Sequence, residues 1–159
     1  MGDGARVGRV NAGEVTIRLA RVGDADRMAE LATQLGYPTT LAEMRRRLAQ
    51  VLQVEDHAAY VAELDGRAVG WIHVCVRPQV QVDRAAEIEG LVVDEACRGR
   101  GIGRLLIRQI EQWVQEKGCD IIYVRSNIIR ERAHGFYQKL GYENIKTSLT
   151  FRKMLRDGG

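Results

Sequence analysis

Apolar positions in this chain follow two periods, and the changes between them mark its elements. Alternation of apolar and polar residues, typical of strands, is found at 15–20, 57–64, 67–76 and 85–94. Apolar residues three or four apart, typical of helices, are found at 25–35, 40–52, 102–117 and 130–140. Two more apolar runs, 120–125 and 142–155, predict strands. The order βααβββαβαβ indicates an α/β fold with a mixed sheet and helices on its faces.

Local signals support these boundaries. Glycine commonly ends a helix, and it follows three of the predicted helices at Gly36, Gly118 and Gly141. Thr39 or Thr40 is suited to cap the second helix. The dipeptide Asp65-Gly66 favours a tight hairpin turn, so the strands on either side of it are predicted to pair antiparallel, with 85–94 as a third partner.

Length and composition indicate one domain. The chain has 159 residues, of which 45% are apolar and 28% charged. A chain of this size buries roughly 70% of its unfolded surface, so we expect a single domain over 15–156 after a disordered tail at 1–14. No apolar run approaches the ~20 residues that cross a bilayer, and no signal-peptide core precedes the first strand. A soluble, cytoplasmic protein is therefore expected.

Cysteine usage and net charge argue against several classes of protein. Cys75, Cys97 and Cys119 are odd in number and lack metal-ligand spacing, so buried or incidental thiols are predicted, with neither disulfides nor a metal site. The net charge is only +3, although arginines gather at 45–47, 98–104 and 125–132. Few aromatic residues accompany them, so a nucleic-acid-binding face is not favoured.

The stretch CRGRGIGRLL, residues 97–106, places three glycines at alternate positions before an apolar helical run. Glycine lets successive backbone N–H groups converge, and a helix N-terminus carries roughly half a positive charge, so this loop is suited to hold an anion. Arg98, Arg100 and Arg104 add full charges, which makes a phosphate or pyrophosphate the predicted ligand. The spacing matches neither the dinucleotide-binding G-x-G-x-x-G nor a P-loop.

Two segments together resemble the GNAT family of acyl-CoA N-acetyltransferases. RGRGIG at 98–103 matches that family's R/Q-x-x-G-x-G/A signature, and RAHGFYQKLGY at 132–142 resembles its second half. The resemblance extends over nearly the whole chain, from about residue 15 to residue 155. It implies a mostly antiparallel sheet flanked by helices, in which the strand ending near residue 94 and the strand at 121–125 splay apart.

This resemblance implies acetyl-CoA as co-substrate. The glycine loop would hold the pyrophosphate of coenzyme A, and the pantetheine arm would pair with the splayed strand like an additional strand. One backbone N–H would bind the thioester oxygen as negative charge develops on it. The implied coenzyme contacts are Leu91, Val93, Arg98, Gly99, Arg100, Gly101, Ile102, Gly103, Arg104, Asn127 and Ala133.

Acetyl transfer to an amine needs one group that takes an ammonium proton and another that protonates the departing thiolate. Glu87 and Glu89 are two apart on one predicted strand, so they share a face. The resemblance makes Glu87 a recurring base and likens Glu89 to the carboxylate of the L-E-G segment in aminoglycoside 6'-acetyltransferases. The choice between them stays open, with Glu87 slightly favoured. Tyr137 is implied as the acid. The histidines are interpreted as packing or surface residues: His57, His73 and His134.

The acceptor amine is less well defined by the sequence. With no fixed cation evident on their own strand, Glu87 and Glu89 favour a small cationic amine such as an aminoglycoside, as in an antibiotic-resistance enzyme. The arginines at 45–47, together with a resemblance to aminoalkylphosphonate N-acetyltransferases, favour an acidic amine instead. A protein or peptide amine, a non-catalytic acyl-CoA-binding module and a homodimer also stay open. No nucleic-acid or membrane partner is expected.

Overall fold

A computed structural model describes residues 14–156, so the predicted tail at 1–14 lies almost wholly outside the described residues. The strands are β1 (Thr16–Leu19), β2 (His57–Leu64), β3 (Arg67–Arg77), β4 (Ala85–Val93) and β5 (Ile122–Val124). The helices are α1 (Ala25–Leu35), α2 (Leu41–Leu52), α3 (Ile102–Glu116) and α4 (Glu131–Lys139). Short 3-10 turns at Val22–Asp24 and Glu95–Cys97 complete the elements.

The strands form one sheet in the order β1-β2-β3-β4-β5. The first four pair antiparallel, and β4 pairs with β5 in parallel. This arrangement confirms the predicted mixed, mostly antiparallel sheet. The hairpin between β2 and β3 turns at Asp65 and Gly66, whose φ angles of 51° and 76° are those that this dipeptide tolerates.

Helices pack on both faces of the sheet. On one face, Trp71 of β3 donates a hydrogen bond to the carbonyl of Met28 in α1 at 3.2 Å, within a core that includes Leu48 of α2. On the other face α3 lies close against the strands. A Cβ at Gly70 would lie 3.3 Å from Leu106 of α3 and 3.0 Å from the Val92 carbonyl oxygen, so glycine permits this close approach.

The chain divides into two compact units, one that ends at Arg125 and one that begins at Ser126. The first holds the sheet and α1 to α3. The second holds α4, in which the Tyr137 ring makes edge-to-face contacts with Phe136 and Tyr142. The single domain expected from the chain length stays a prediction.

The strand predicted at 142–155 is wrong. No strand or helix is assigned over 143–156, and all of these residues are exposed, with Leu149 at 81% and Phe151 at 87%. Alternation predicts a strand only if a neighbouring strand supplies the backbone partners, and the sheet in the described residues has no strand beyond β5. The predicted strand at 120–125 forms, but only over Ile122–Val124.

The cysteines and the lengths of the helices are two further features of the described residues. Cys75, Cys97 and Cys119 are free and buried, as the scattered cysteine spacing predicted. Each helix is short for a bilayer: within the described residues, no helix is long and apolar enough to cross a membrane.

Candidate active site

The central strand β4 loses one of its two neighbours halfway along its length. Its pairing with β3 runs from Ala85 to Val93, whereas its pairing with β5 covers only Ala86, Glu87 and Ile88. β5 ends at Val124, the partner of Ile88, so the rest of β4 has no paired strand on this side among the described residues, where the resemblance implies a splayed pair. Backbone groups on the open edge of β4 need partners, and an amide-bearing chain can supply them. Leu91 and Val93, the predicted contacts of the pantetheine arm, lie on this part of β4.

The glycine loop follows directly after β4 and leads into α3. Gly99 and Gly101 have φ angles of 79° and 77°, a left-handed conformation that favours glycine, and Gly101 is the N-cap of the 15-residue helix. A helix leaves its first N–H groups without intrahelical partners. No acidic side chain lies in the first turn of α3, so the positive end of the helix dipole is not offset locally.

Three arginines lie in the loop and in the first turn of α3. Arg98, Arg100 and Arg104 are exposed, and among the described residues none of them forms an ion pair. Arg98 donates from Nε to the Val93 carbonyl at 3.4 Å, which directs its side chain back along β4. Positive groups concentrated at a helix N-terminus repel one another unless an anion binds there. The loop therefore fits the pyrophosphate of coenzyme A, which would present an activated acetyl thioester to an amine.

Glu87 and Glu89 share one face of β4, as predicted. Both carboxylates contact Arg77 of β3, and a β-bulge at Glu89 lies between the pairs Val74–Ile88 and His73–Gly90. Glu87 is buried, with its side chain 9% exposed, whereas that of Glu89 is 35% exposed. Of the two carboxylates, Glu89 is the one that an incoming molecule reaches more readily.

Two arginines neutralise Glu87, and the sequence analysis did not identify either. Arg77 of β3 donates from Nη2 to Oε2 of Glu87, and Arg125 Nε lies 3.1 Å from Oε1. Arg77 also reaches within 4.0 Å of Glu89. No cation lies on β4 itself, as expected, but the two carboxylates do have cationic partners from other parts of the chain. Arg77 is the last residue of β3 and Arg125 directly follows β5, so both contacts depend on how these strands pair with β4.

Glu89 has a second neighbour on β3. The Cys75 thiol donates a hydrogen bond from Sγ to Oε1 of Glu89 at 3.0 Å. Burial, followed by this hydrogen bond, raises the pKa of Cys75 to about 12. Cys75 is thus a neutral thiol that orients Glu89, and it is not a thiolate nucleophile.

The remaining predicted residues lie in the second unit. Burial raises the pKa of Tyr137 to about 12, so the phenol stays protonated and able to donate. The side-chain oxygen of Asn127 accepts from the Ile129 N–H at 3.2 Å, while its carbonyl lies 2.9 Å from Nε2 of His134. His134 is thus a satisfied histidine, as interpreted. Ala133 lies in the first turn of α4.

Charged residues of α2 and of the loop before β4 have structural partners. Glu43 completes the capping box of α2 with Thr40, and Arg45 lies 3.9 Å from Asp26. Arg84 contacts Asp56 at 3.3 Å. In residues 14–156 no three His, Cys, Asp or Glu side chains are grouped so that they could hold a metal ion.

A short parallel pairing of β4 with β5, followed by a glycine-arginine loop at the N-terminus of α3, is the arrangement that the resemblance implies for an acyl-CoA-dependent transferase. The model of the acetyltransferase (GNAT) family matches residues 25–142, and the chain belongs to this family. It is accordingly an enzyme, an N-acetyltransferase that uses acetyl-CoA as its co-substrate.

Known relatives differ in the amine that their names specify. The chain is 28% identical to an aminoglycoside N(6')-acetyltransferase type 1 of Stenotrophomonas maltophilia, over 88% of this chain and 94% of that protein. It is 35% identical to a glucosamine 6-phosphate N-acetyltransferase of Trypanosoma brucei brucei, over 64% and 65% of the two chains. A solved aminoglycoside N-acetyltransferase in complex with coenzyme A has the same fold, with a TM-score of 0.81, 22% identity, and 90% and 97% coverage.

Proposed function

We propose that this enzyme transfers the acetyl group of acetyl-CoA to a primary amine of a small molecule, and that a cationic, aminoglycoside-like amine is the preferred acceptor. The observation that carries the proposal is the position of Glu89, a partly exposed carboxylate at the point where β4 and β5 separate. The relative from Stenotrophomonas maltophilia supports the choice of acceptor.

Glu89 is the proposed contact of the acceptor ammonium group. Both oxygens of Glu87 already face guanidinium groups, which leaves Glu87 poorly placed to take a proton. Glu89 has one oxygen on the Cys75 thiol and a weaker contact of 4.0 Å with Arg77. A positioned carboxylate contributes roughly 10²–10⁴ to the rate when it removes a proton in the transition state.

The other proposed roles follow from the family resemblance. In this proposal Leu91 and Val93 offer backbone to the pantetheine arm, residues 98–104 bind the pyrophosphate, and Asn127 and Ala133 make further coenzyme contacts. Tyr137 donates a proton to the departing thiolate, which its raised pKa permits across the neutral range. Direct attack by the amine, with acetyl-CoA and acceptor bound together, is the proposed order, since Cys75 is unsuited to form an acyl-enzyme.

A second acceptor class has its own support. Arg77 and Arg125 keep 46% and 77% of their side chains exposed, so either could also meet an anionic group on the acceptor. The Trypanosoma brucei brucei relative is named for a phosphorylated amine. An amine that carries a phosphate or phosphonate is therefore the second candidate.

A panel of amines tests the proposal. Thiol release from acetyl-CoA would be measured with neamine, spermidine, glucosamine 6-phosphate and 2-aminoethylphosphonate, with an acceptor-free reaction as control. We expect neamine to give the highest kcat/KM. A lead for either phosphorus-bearing amine would favour the second class, and thiol release with none of them would contradict a small-amine acceptor.

A further inference from the structure

Two histidines on neighbouring strands form a pair beside the proposed acceptor site. His57 Nδ1 and His73 Nε2 lie 2.9 Å apart, and the rings stack with centroids 5.2 Å apart. One nitrogen must donate and the other accept at this distance, so the rings share one hydrogen bond and neither is isolated. The pair can carry one additional proton, but a second would place two positive charges in contact.

His73 is the member of the histidine pair that lies near Glu89. His73 lies opposite Gly90 of β4, the residue that follows Glu89, and it shares a face of β3 with Cys75, whose thiol contacts Glu89. Burial and the neighbouring His57 lower the pKa of His73, while the charge of Glu89 raises it. His73 is thus poised as a neutral imidazole that senses the charge on Glu89.

On its outer side the pair reaches solvent. His57 lines an open depression of about 320 Å³ whose walls include Leu52, Val54 and Trp113. Glu89 and this depression thus lie at opposite ends of a short path across β3 and β2. Histidine is the side chain best suited to pass a proton near neutral pH.

We propose that His73 and His57 form a proton relay that carries the proton of the acceptor ammonium group from Glu89 to the depression lined by His57. The relay rests on the proposed role of Glu89. The ammonium N–H bond breaks as an O–H bond forms on Glu89. His73 then gains this proton at Nδ1 and passes its Nε2 proton to His57 Nδ1. His57 releases its own Nε2 proton to water, so no net charge remains.

Several other charged or titratable groups border this path and would influence its pH dependence. They are Glu87 and Glu89 on β4, Cys75 and Arg77 on β3, Glu55 and Asp56 before β2, and Lys117 after α3. Glu87 is ion-paired and Cys75 stays neutral, so the charge of Glu89 is the one expected to control His73.

The first test needs no acceptor. Nitrogen NMR of labelled histidine would follow the titration of both rings in the wild type and in Glu89→Gln. Loss of the carboxylate charge should move the titration of His73 to lower pH, because a negative neighbour stabilises the imidazolium form. An unchanged titration in Glu89→Gln would overturn the coupling on which the relay depends.

The second test separates the relay from packing. With the best acceptor of the amine panel, His73→Gln and His57→Gln should lower kcat/KM roughly 10- to 100-fold near pH 6.5. The loss should vanish above the pKa of the acceptor amine, where it arrives unprotonated. Gln53→Ala is the matched control, since Gln53 lines the same depression but is uncharged and lies outside the pair, and it should keep wild-type activity.

The outcomes of this test are distinguishable. A loss independent of pH in both histidine variants would assign the pair to packing and overturn the relay. If His73→Gln fails to fold, His57→Gln at the edge of the depression decides the same question. If the wild type is active and both histidine variants keep its pH profile of kcat/KM, the relay alone is contradicted. If the wild type transfers no acetyl group, the proposed function is overturned and the relay with it.

Discussion

The glycine loop at 98–104 and the carboxylate face of β4 lie at opposite ends of the same open edge, and they handle charge in different ways. The loop gathers positive groups with no acidic side chain in the first turn of α3. On the carboxylate face most charges are paired. Arg77 and Arg125 neutralise Glu87, and Glu89 is the more accessible carboxylate. One region is incomplete without an anion, whereas the other is nearly balanced by itself.

Coenzyme A and the acceptor amine should therefore gain their affinity in different ways. A pyrophosphate at the loop meets backbone donors and full charges together, so coenzyme binding should depend strongly on this segment. An amine at the carboxylate face meets one accessible carboxylate among compensated charges, so acceptor choice should depend on modest electrostatic differences.

The largest expected effect tests the loop. Gly101→Val should abolish measurable coenzyme A binding, because valine is strained at a φ of 77° and its side chain intrudes on the pyrophosphate position. Gly118→Val is the matched control, since Gly118 has a φ of 76° after α3 and lies far from the loop in sequence. Calorimetry on both folded variants makes the comparison. Equal affinity for coenzyme A in the two would remove the loop from the site.

The next effect distinguishes the two carboxylates. Glu89→Gln should lower kcat/KM by roughly 10²–10⁴ with coenzyme A affinity unchanged. Glu87→Gln should lower kcat/KM much less and reduce the melting temperature instead, because it disrupts a buried ion pair. Initial rates and thermal unfolding of both variants provide the comparison. The reverse ranking of rates would return the role of base to Glu87.

A smaller effect concerns charge balance on the carboxylate face. Arg77→Gln should improve kcat/KM for a cationic amine and impair it for a phosphorylated amine, each by about threefold to tenfold at low salt. Arg84→Gln is the control, because Arg84 is 41% exposed against 46% for Arg77 and pairs with Asp56 instead. If Arg77→Gln and Arg84→Gln change kcat/KM for the two acceptors alike, Arg77 has no part in acceptor choice.

The smallest effect concerns single charges of the loop. Arg98→Ala should weaken coenzyme A binding by about tenfold, since it removes one charged contact of several. Arg108→Ala, an exposed arginine farther along α3, should bind like the wild type. Titration at two salt concentrations separates the specific contact from general attraction. Identical affinities for the two variants would mean that Arg98 does not touch the coenzyme.

The sequence predicts the loop better than it predicts the charge balance of the carboxylate face. The loop is a local feature, because the three glycines, the arginines and the start of α3 are consecutive, and its position after β4 was predicted correctly. The charge balance of Glu87 is not local. Arg77 lies ten residues before Glu87 in the sequence, and Arg125 comes after α3. Their contacts with Glu87 therefore depend on strand register.

Two other differences have similar physical causes. The apolar alternation at 142–155 was interpreted as a strand, but a strand depends on a partner that alternation cannot specify. His57 and His73 were interpreted separately, and only the register of β2 and β3 brings them together.

The ratio of kcat/KM for neamine to that for glucosamine 6-phosphate, measured at low and at physiological salt, tests the central claim most directly. The claim is that an accessible Glu89 recruits a cationic acceptor while Arg77 and Arg125 hold Glu87. We expect a ratio above one that decreases as salt screens the attraction. A ratio below one at low salt would contradict it and would make the arginines, not Glu89, the groups that select the acceptor.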